Sequence, residues 1–306
     1  MRSTKAILAA ALGFAIVGTL LVSLVAANEN DTDPYILKPE AKEELVSFVN
    51  EAKDFVLAEG KDKALQVFND PKGRFSRGGL YIIAADANGT LLADPYEHEN
   101  IGKGPNMFND SNGVDYAKII SSLTKRGGGF AYFIHPNPDH SNAEELKLQY
   151  RVKADEGLYL ESGIYLPGPA PVFSNESRKD LIAFVEGARE FALDHTKEEA
   201  LKAFGNPNGE FVKEELYIIA YDFNGTRLAN PYMPEAIGEN ALNVTDPNGV
   251  DQVRNMRDFA ASWGEGFFYY IWPNPAKANA RELKLCYVTK VNDDWFFASG
   301  VYLPGE

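Results

Sequence analysis

Residues 80–96, LYIIAADANGTLLADPY, return at 216–232 as LYIIAYDFNGTRLANPY, a shift of 136 positions. The same shift pairs Phe68 with Phe204, Pro71 with Pro207, Gly73 with Gly209 and Phe75 with Phe211. After a one-residue insertion near 263–266 the shift becomes 137, so that PNP at 136–138 meets PNP at 273–275. SGIYLPG at 162–168 likewise meets SGVYLPG at 299–305. A tandem duplication restricts the fold to two copies of one domain. The copies are expected at 38–168 and 175–306, joined by the Pro-rich PGPAPVFS of 167–174. At 306 residues the chain is long enough for each copy to bury its own core.

Each copy opens on an amphipathic helix. Leu45, Phe48, Val49, Ala52, Phe55 and Val56 fall on one stripe, repeated as Leu181, Phe184, Val185, Ala188, Phe191 and Ala192. A short second helix follows, and in copy two Thr196 with Glu199 forms a capping box. Two β runs come next, joined through Asn88-Gly89 and Asn224-Gly225, a pair that favours a type I′ hairpin. A helix near 114–126, or 250–262, precedes three further β runs at 130–135, 145–153 and 157–165, with counterparts at 267–272, 282–291 and 295–302. This order predicts an α+β domain with one five-stranded antiparallel sheet and helices packed on it. One sheet face is then free to hold a ligand, as in PAS-like sensor folds.

Composition excludes several partners. A net charge of −14 and a pI near 4.8 argue against nucleic acid and anionic membrane surfaces. The single cysteine, Cys286, rules out an internal disulfide framework and reads as a small apolar strand residue. At the N-terminus, Arg2 and Lys5 precede an uncharged run from Ala6 to Ala27. That run is long enough to span a bilayer, and Val25-Ala26-Ala27 also suits signal-peptide cleavage. Residues 1–27 are therefore expected to be a signal anchor or signal peptide. The positive end lies inside, the two domains lie outside the cytoplasm, and the protein is secreted if cleavage occurs near Ala27.

The motifs LYIIAYDFNGTRLANP, IGENALNVTDPNGV, GEGFFYYIWPNP, ELKLCYV and ASGVYLP, with weaker copies in the first half, resemble the Cache family of extracytoplasmic sensor domains. The likeness is to the single-Cache type and covers about residues 40–306. It implies two PAS-like domains that bind small organic ligands, often short carboxylates or amino acids. With no output module expected in this chain, the protein is expected to act as a binding protein or to deliver its state to a membrane receptor or kinase partner. Many relatives carry His before the Pro that follows the hairpin, where this chain has Asp94 and Asn230. Most continue into an output module, and none is expected after Glu306.

Strand alternation divides the aromatic run of copy two into two faces. Phe267, Tyr269 and Ile271 match Phe130, Tyr132 and Ile134 of copy one and read as shared core. Phe268, Tyr270 and Trp272 stand against Ala131, Phe133 and His135, so this face varies between copies, as a pocket wall would. The next strand brings Lys284 and Tyr287, or Lys147 and Tyr150. The candidate ligand-binding residues are thus Tyr270, Trp272, Lys284 and Tyr287 in copy two, with Phe133, His135, Lys147 and Tyr150 in copy one. Copy two, the more aromatic, is expected to bind more readily, with Lys284 supplying charge to a carboxylate. The alternative is a structural surface repeat without ligand, its lysines solvated and its aromatics only core.

Other chemistry finds no support. His135, His140 and Asp139 suggest a metal cluster, but copy two has Trp272 and Lys277 in comparable places. NDSNGVD and DPNGVD lack calcium-loop spacing and read as helix entries. No phosphate loop, nucleophile elbow or His-Cys dyad is present, so neither catalysis nor a cofactor is expected.

Overall fold

The computed structural model describes residues 34–77, 79–104 and 109–303. Copy one runs α1 (Pro39–Glu59), α2 (Lys61–Phe68), β1 (Ser76–Arg77), β2 (Leu80–Tyr81), β3 (Ile83–Asp86), β4 (Leu91–Ala93), α3 (Tyr116–Arg126), β5 (Gly128–Asn137), β6 (Ala143–Asp155) and β7 (Leu158–Tyr165). Copy two repeats it as α4 (Asn175–Asp194), α5 (Lys197–Phe204), β8 (Val212–Lys213), β9 (Leu216–Tyr217), β10 (Ile219–Asp222), β11 (Arg227–Ala229), α6 (Gln252–Trp263), β12 (Glu265–Asn274), β13 (Ala280–Lys290) and β14 (Trp295–Tyr302). The five-stranded sheets are separate and antiparallel, ordered β4-β3-β7-β6-β5 and β11-β10-β14-β13-β12. The apolar run Ala6–Ala27 lies outside the described residues. Among the described residues no helix is long and apolar enough to cross a membrane.

Local sequence explains the elements. Pro39 and Glu40 occupy the first turn of α1, and its stripe of Leu45, Phe48, Val49, Ala52 and Val56 is buried against β6 and β7. Thr196 and Glu199 cap α5 reciprocally. Both α3 and α6 end at a glycine with positive φ, Gly127 and Gly264. The extra residue of copy two is absorbed by α6, which has 12 residues where α3 has 11, and that residue is Trp263.

The hairpin departs from expectation. A type I′ turn needs two residues at positive φ, and only Gly89 and Gly225 have it. The carboxylate of Asp86 accepts the N–H groups of Asn88 and Thr90, and the Asp86 carbonyl accepts that of Gly89. This turn-side acceptor selects the longer loop in which glycine alone is left-handed.

The aromatic face shared by the copies serves the junction between them, as well as core. Tyr132 on β5 donates to Asp246 Oδ2 at 2.8 Å, and Tyr269 on β12 donates to Asp110 Oδ2 at 2.6 Å. Asn248 Nδ2 donates to the Tyr132 hydroxyl and the Tyr35 carbonyl, while Asn112 Nδ2 donates to the Tyr269 hydroxyl and the Pro171 carbonyl. Backbone N–H groups of Leu37 and Phe173 return to Asn248 Oδ1 and Asn112 Oδ1. Each copy's Asp-x-Asn-Gly-Val turn thus clamps a tyrosine of the other copy and the segment leading into the other's first helix. The turn glycines cannot be replaced cheaply: Gly249 has φ +94°, and a Cβ there would sit 3.0 Å from the Phe130 ring. Beside the clamps, Arg126 of α3 lies between Asp258 at 3.4 Å and Asp251 at 3.6 Å, and donates to Asn255 on α6.

Candidate functional site

On the sheet face away from α1, copy one holds a cavity of about 330 Å³. Its floor is β3, β5, β6 and β7, which contribute Ile83, Ala85, Phe133, Ile134, His135, Arg151 and Glu161. Helix α3 adds Tyr116 and Ile120, and the loop between β4 and α3 adds Asp94, Glu97, Asn100, Asp110 and Val114. Tyr116 and Phe133 meet with ring centroids 4.6 Å apart.

Charge on these walls is mostly negative. Asp94, Glu97, Asp110, Glu144 and Glu161 line the cavity with one guanidinium, Arg151. Arg151 is fully buried, donates to Glu161 Oε2 at 2.9 Å, and stands 4.7 Å from the Tyr159 ring. Gln149 donates to the same Glu161 oxygen. Arg151 Nε is buried with no hydrogen-bond partner among the described residues. Burial pushes the Asp94 carboxyl up to about 6, against the N–H bonds that Tyr96 and Glu97 donate to its Oδ1. Burial, and next the Lys147 charge, bring His135 down to about 4, so its imidazole is neutral at pH 7.

The candidate residues of copy one divide across the sheet. Phe133 and His135 line the cavity. Lys147 is on the same face but fully buried, between the Tyr81 and Tyr165 rings at 4.3 and 4.8 Å, with Nζ 2.9 Å from the Tyr81 hydroxyl. Burial brings it down to about 8. Tyr150 is corrected: it points to the opposite face and packs on Phe130 at 4.7 Å, since residue 150 alternates with Lys147, Gln149 and Arg151 along β6.

In copy two bulkier side chains stand at the corresponding positions. Ala85, Ala131 and Leu91 of copy one become Tyr221, Phe268 and Arg227, all buried. Phe268 stacks on Tyr270 at 5.7 Å, Tyr270 meets Trp272 at 6.3 Å, and Tyr221 stacks on Phe296 at 6.1 Å. Tyr270 and Trp272 therefore belong to a packed aromatic cluster. Lys284 is held between Tyr217 and Tyr302 at 4.1 and 4.3 Å, and so is neither solvated nor turned to an open pocket. Tyr287 lies on the far face, donates to Glu265 and packs on Phe267. Burial pushes the Cys286 thiol, in the place of Gln149, up to about 12. Sequence reasoning noted Asp94 only as a departure from the family motif, and passed over Glu97, Arg151 and Glu161. Their signal was a charged residue, inside a strand or in the loop after β4, where the other copy has an uncharged one: Asn230, Met233, Val288 and Ala298.

Residues 33–167 match the family model described as single Cache domain 2, and residues 187–304 match a second described as Cache domain. The chain belongs to the Cache family. Cache domains are the ligand-binding sensor modules that membrane receptors carry outside the cytoplasm. An 88-residue segment is 32% identical to the sensor histidine kinase MctS of Rhizobium johnstonii, covering 28% of this chain and 19% of that kinase. The match thus spans about a fifth of that relative's length. Among solved structures, a methyl-accepting chemotaxis protein from Vibrio parahaemolyticus is 24% identical, covering 42% of this chain and 89% of its own, with a TM-score of 0.37. A Cache chemosensory domain solved for carboxylic acid recognition is 23% identical, covering 43% of this chain and all of its own, also with a TM-score of 0.37. The ligand-binding domain of the Pseudomonas fluorescens chemoreceptor CtaA with L-isoleucine is 10% identical over 86% of both chains, with a TM-score of 0.24.

Proposed function

We propose that the protein is an extracytoplasmic receptor whose copy one, residues 38–168, binds a small zwitterion of amino-acid size. Copy two, residues 175–306, is its packed scaffold, and the run Ala6–Ala27 anchors or exports both. A membrane receptor or kinase takes the signal. The copy-one cavity carries this reading. At about 330 Å³ it is at the small end of ligand pockets and presents both signs of charge beside an aromatic pair. An ammonium group is served by Asp94, Glu97 or Glu144 through charge-assisted hydrogen bonds. A carboxylate is served by the one unpartnered N–H of Arg151, at Nε, and a short side chain by Tyr116 and Phe133. A carboxylate without an amine meets the excess negative charge alone and is expected to bind more weakly.

Calorimetry on the whole chain against the twenty L-amino acids and their des-amino acids checks this. Heat from at least one amino acid, and a weaker response from its des-amino analogue, is the expected result. Equal binding by the des-amino acid would remove the ammonium from the reading, and silence across the panel would favour the ligand-free structural module.

The pH dependence has a definite sign. Asp94 feels the charges of Glu97 and Lys147, and it takes up a proton as pH falls through about 6. Its attraction for an ammonium is present above that pH and lost below it, so affinity falls by up to about tenfold per unit from pH 6 towards 4. Asp94→Asn, the residue that copy two carries as Asn230, is expected to weaken binding at pH 7 by roughly tenfold to a hundredfold and to flatten the profile. An unchanged slope in that variant assigns the proton elsewhere.

A further inference from the structure

We infer that copy two completes the binding site of copy one, with Tyr269 as the positioning residue for the cavity wall. The two clamps across the junction match in their tyrosine, asparagine and backbone N–H hydrogen bonds but differ in what lies behind them. Asp110 borders the copy-one cavity, as do its neighbours Asn109 and Val114. Its Oδ1 is used by the N–H groups of Asn112 and Val114, both at 2.9 Å, which shape the turn. Its Oδ2 is held by the Tyr269 hydroxyl, which in turn accepts from Asn112. This wall of the cavity is therefore fixed from across the junction by a side chain of the other domain.

The mirror clamp has no such duty. Asp246 holds Tyr132 in the same way, yet also accepts the N–H of Ile271 from its own copy at 3.1 Å, and the equivalent sheet face of copy two carries the buried aromatics Tyr221, Phe268 and Tyr270. Tyr132 and Tyr269 are thus equivalent for joining the copies and inequivalent for binding. Losing the Tyr269 hydroxyl releases the Asp110 carboxylate, which joins the negative charge already facing the cavity, and frees the turn that carries Val114.

The inference rests on the ligand reading for what the wall touches, so its test has one arm that needs no ligand. Hydrogen exchange on the whole chain compares Tyr269→Phe with Tyr132→Phe. In Tyr269→Phe the amides of 109–116 and of 133–135 should exchange about tenfold faster, the size expected when a hydrogen bond to a charged acceptor is lost. In Tyr132→Phe the faster exchange should stay within 245–252. The second arm is calorimetry with whichever of the twenty L-amino acids binds the parent. Affinity should fall about tenfold in Tyr269→Phe and stay within about twofold in Tyr132→Phe, although both lose similar thermal stability. A junction with a purely structural role moves both variants alike in affinity, and that outcome overturns the inference. Unaltered exchange at 109–116 in Tyr269→Phe overturns it as well. Silence of the parent towards every amino acid counts against the ligand reading, and the exchange arm alone then decides the coupling.

Discussion

Arg151→Met is expected to destabilise the protein by about 3–5 kcal/mol, the usual consequence of stranding one partner of a buried ion pair. Glu161 is buried, and its Oε2 takes both the Arg151 guanidinium at 2.9 Å and the Gln149 amide. Without the guanidinium, a carboxylate sits inside the sheet with one neutral donor. A melting temperature about 10 °C lower follows for a chain of this size. The double change Arg151→Met with Glu161→Leu should recover most of that loss, because side chains of similar volume replace the pair and no charge is stranded. Copy two already does without the pair, having Val288 and Ala298 at these positions. Amino-acid binding should remain abolished in the stable double variant, which separates the pair's part in recognition from its part in folding. A single variant as stable as the parent would show that Glu161 is not held by Arg151. A double variant that still binds would remove Arg151 from the site.

The sequence displayed the fold more openly than the site, for physical reasons that differ by residue. The stripe of Leu45, Phe48, Val49, Ala52 and Val56, the Thr196–Glu199 box and the 136-residue shift are local or periodic signals, and each corresponds to an observed element. The partners of Lys147 are not local. Tyr81 lies 66 residues before it, and register places Tyr165 opposite it on β7. A lysine that reads as ligand-seeking is thereby committed to two rings. Aromatic content misled for a related reason. A ring lines a pocket only if the residues facing it are small, and this is so around Phe133, where Ala85 and Ala131 stand, but not around Tyr270, where Tyr221 and Phe268 stand. The tyrosines shared by both copies were legible as buried, but their hydroxyl partners Asp110 and Asp246 belong to the opposite copy. The hairpin type turned on the Asp86 carboxylate, a side-chain acceptor that the Asn-Gly pair alone does not reveal.

Ala85→Tyr is expected to abolish ligand binding, by more than about a hundredfold, without unfolding the protein. Ala85 and Tyr221 occupy the same place in the two sheets, paired with Tyr159 on β7 and Phe296 on β14. In copy two that tyrosine is buried, and it lies 5.9 Å below the Arg227 guanidinium. In copy one the space it would enter is the cavity of about 330 Å³, ample for a phenol ring. Burying the ring favours folding by about 1.5–3 kcal/mol, while the hydroxyl must find a partner among Asp94, Glu97 and Asn100, because Leu91 stands where copy two has Arg227. The two effects nearly offset, so the melting temperature should hold within a few degrees. The reverse change, Tyr221→Ala, empties a packed space and should cost about 3–5 kcal/mol. The comparison of the two variants is the measurement that matters: one loses the ligand and keeps its stability, and the other loses stability and keeps the ligand. Binding retained in Ala85→Tyr would place the ligand outside this cavity. A melting temperature lower by more than about 10 °C would mean that the ring clashes with its walls, and that the space is smaller than the geometry gives.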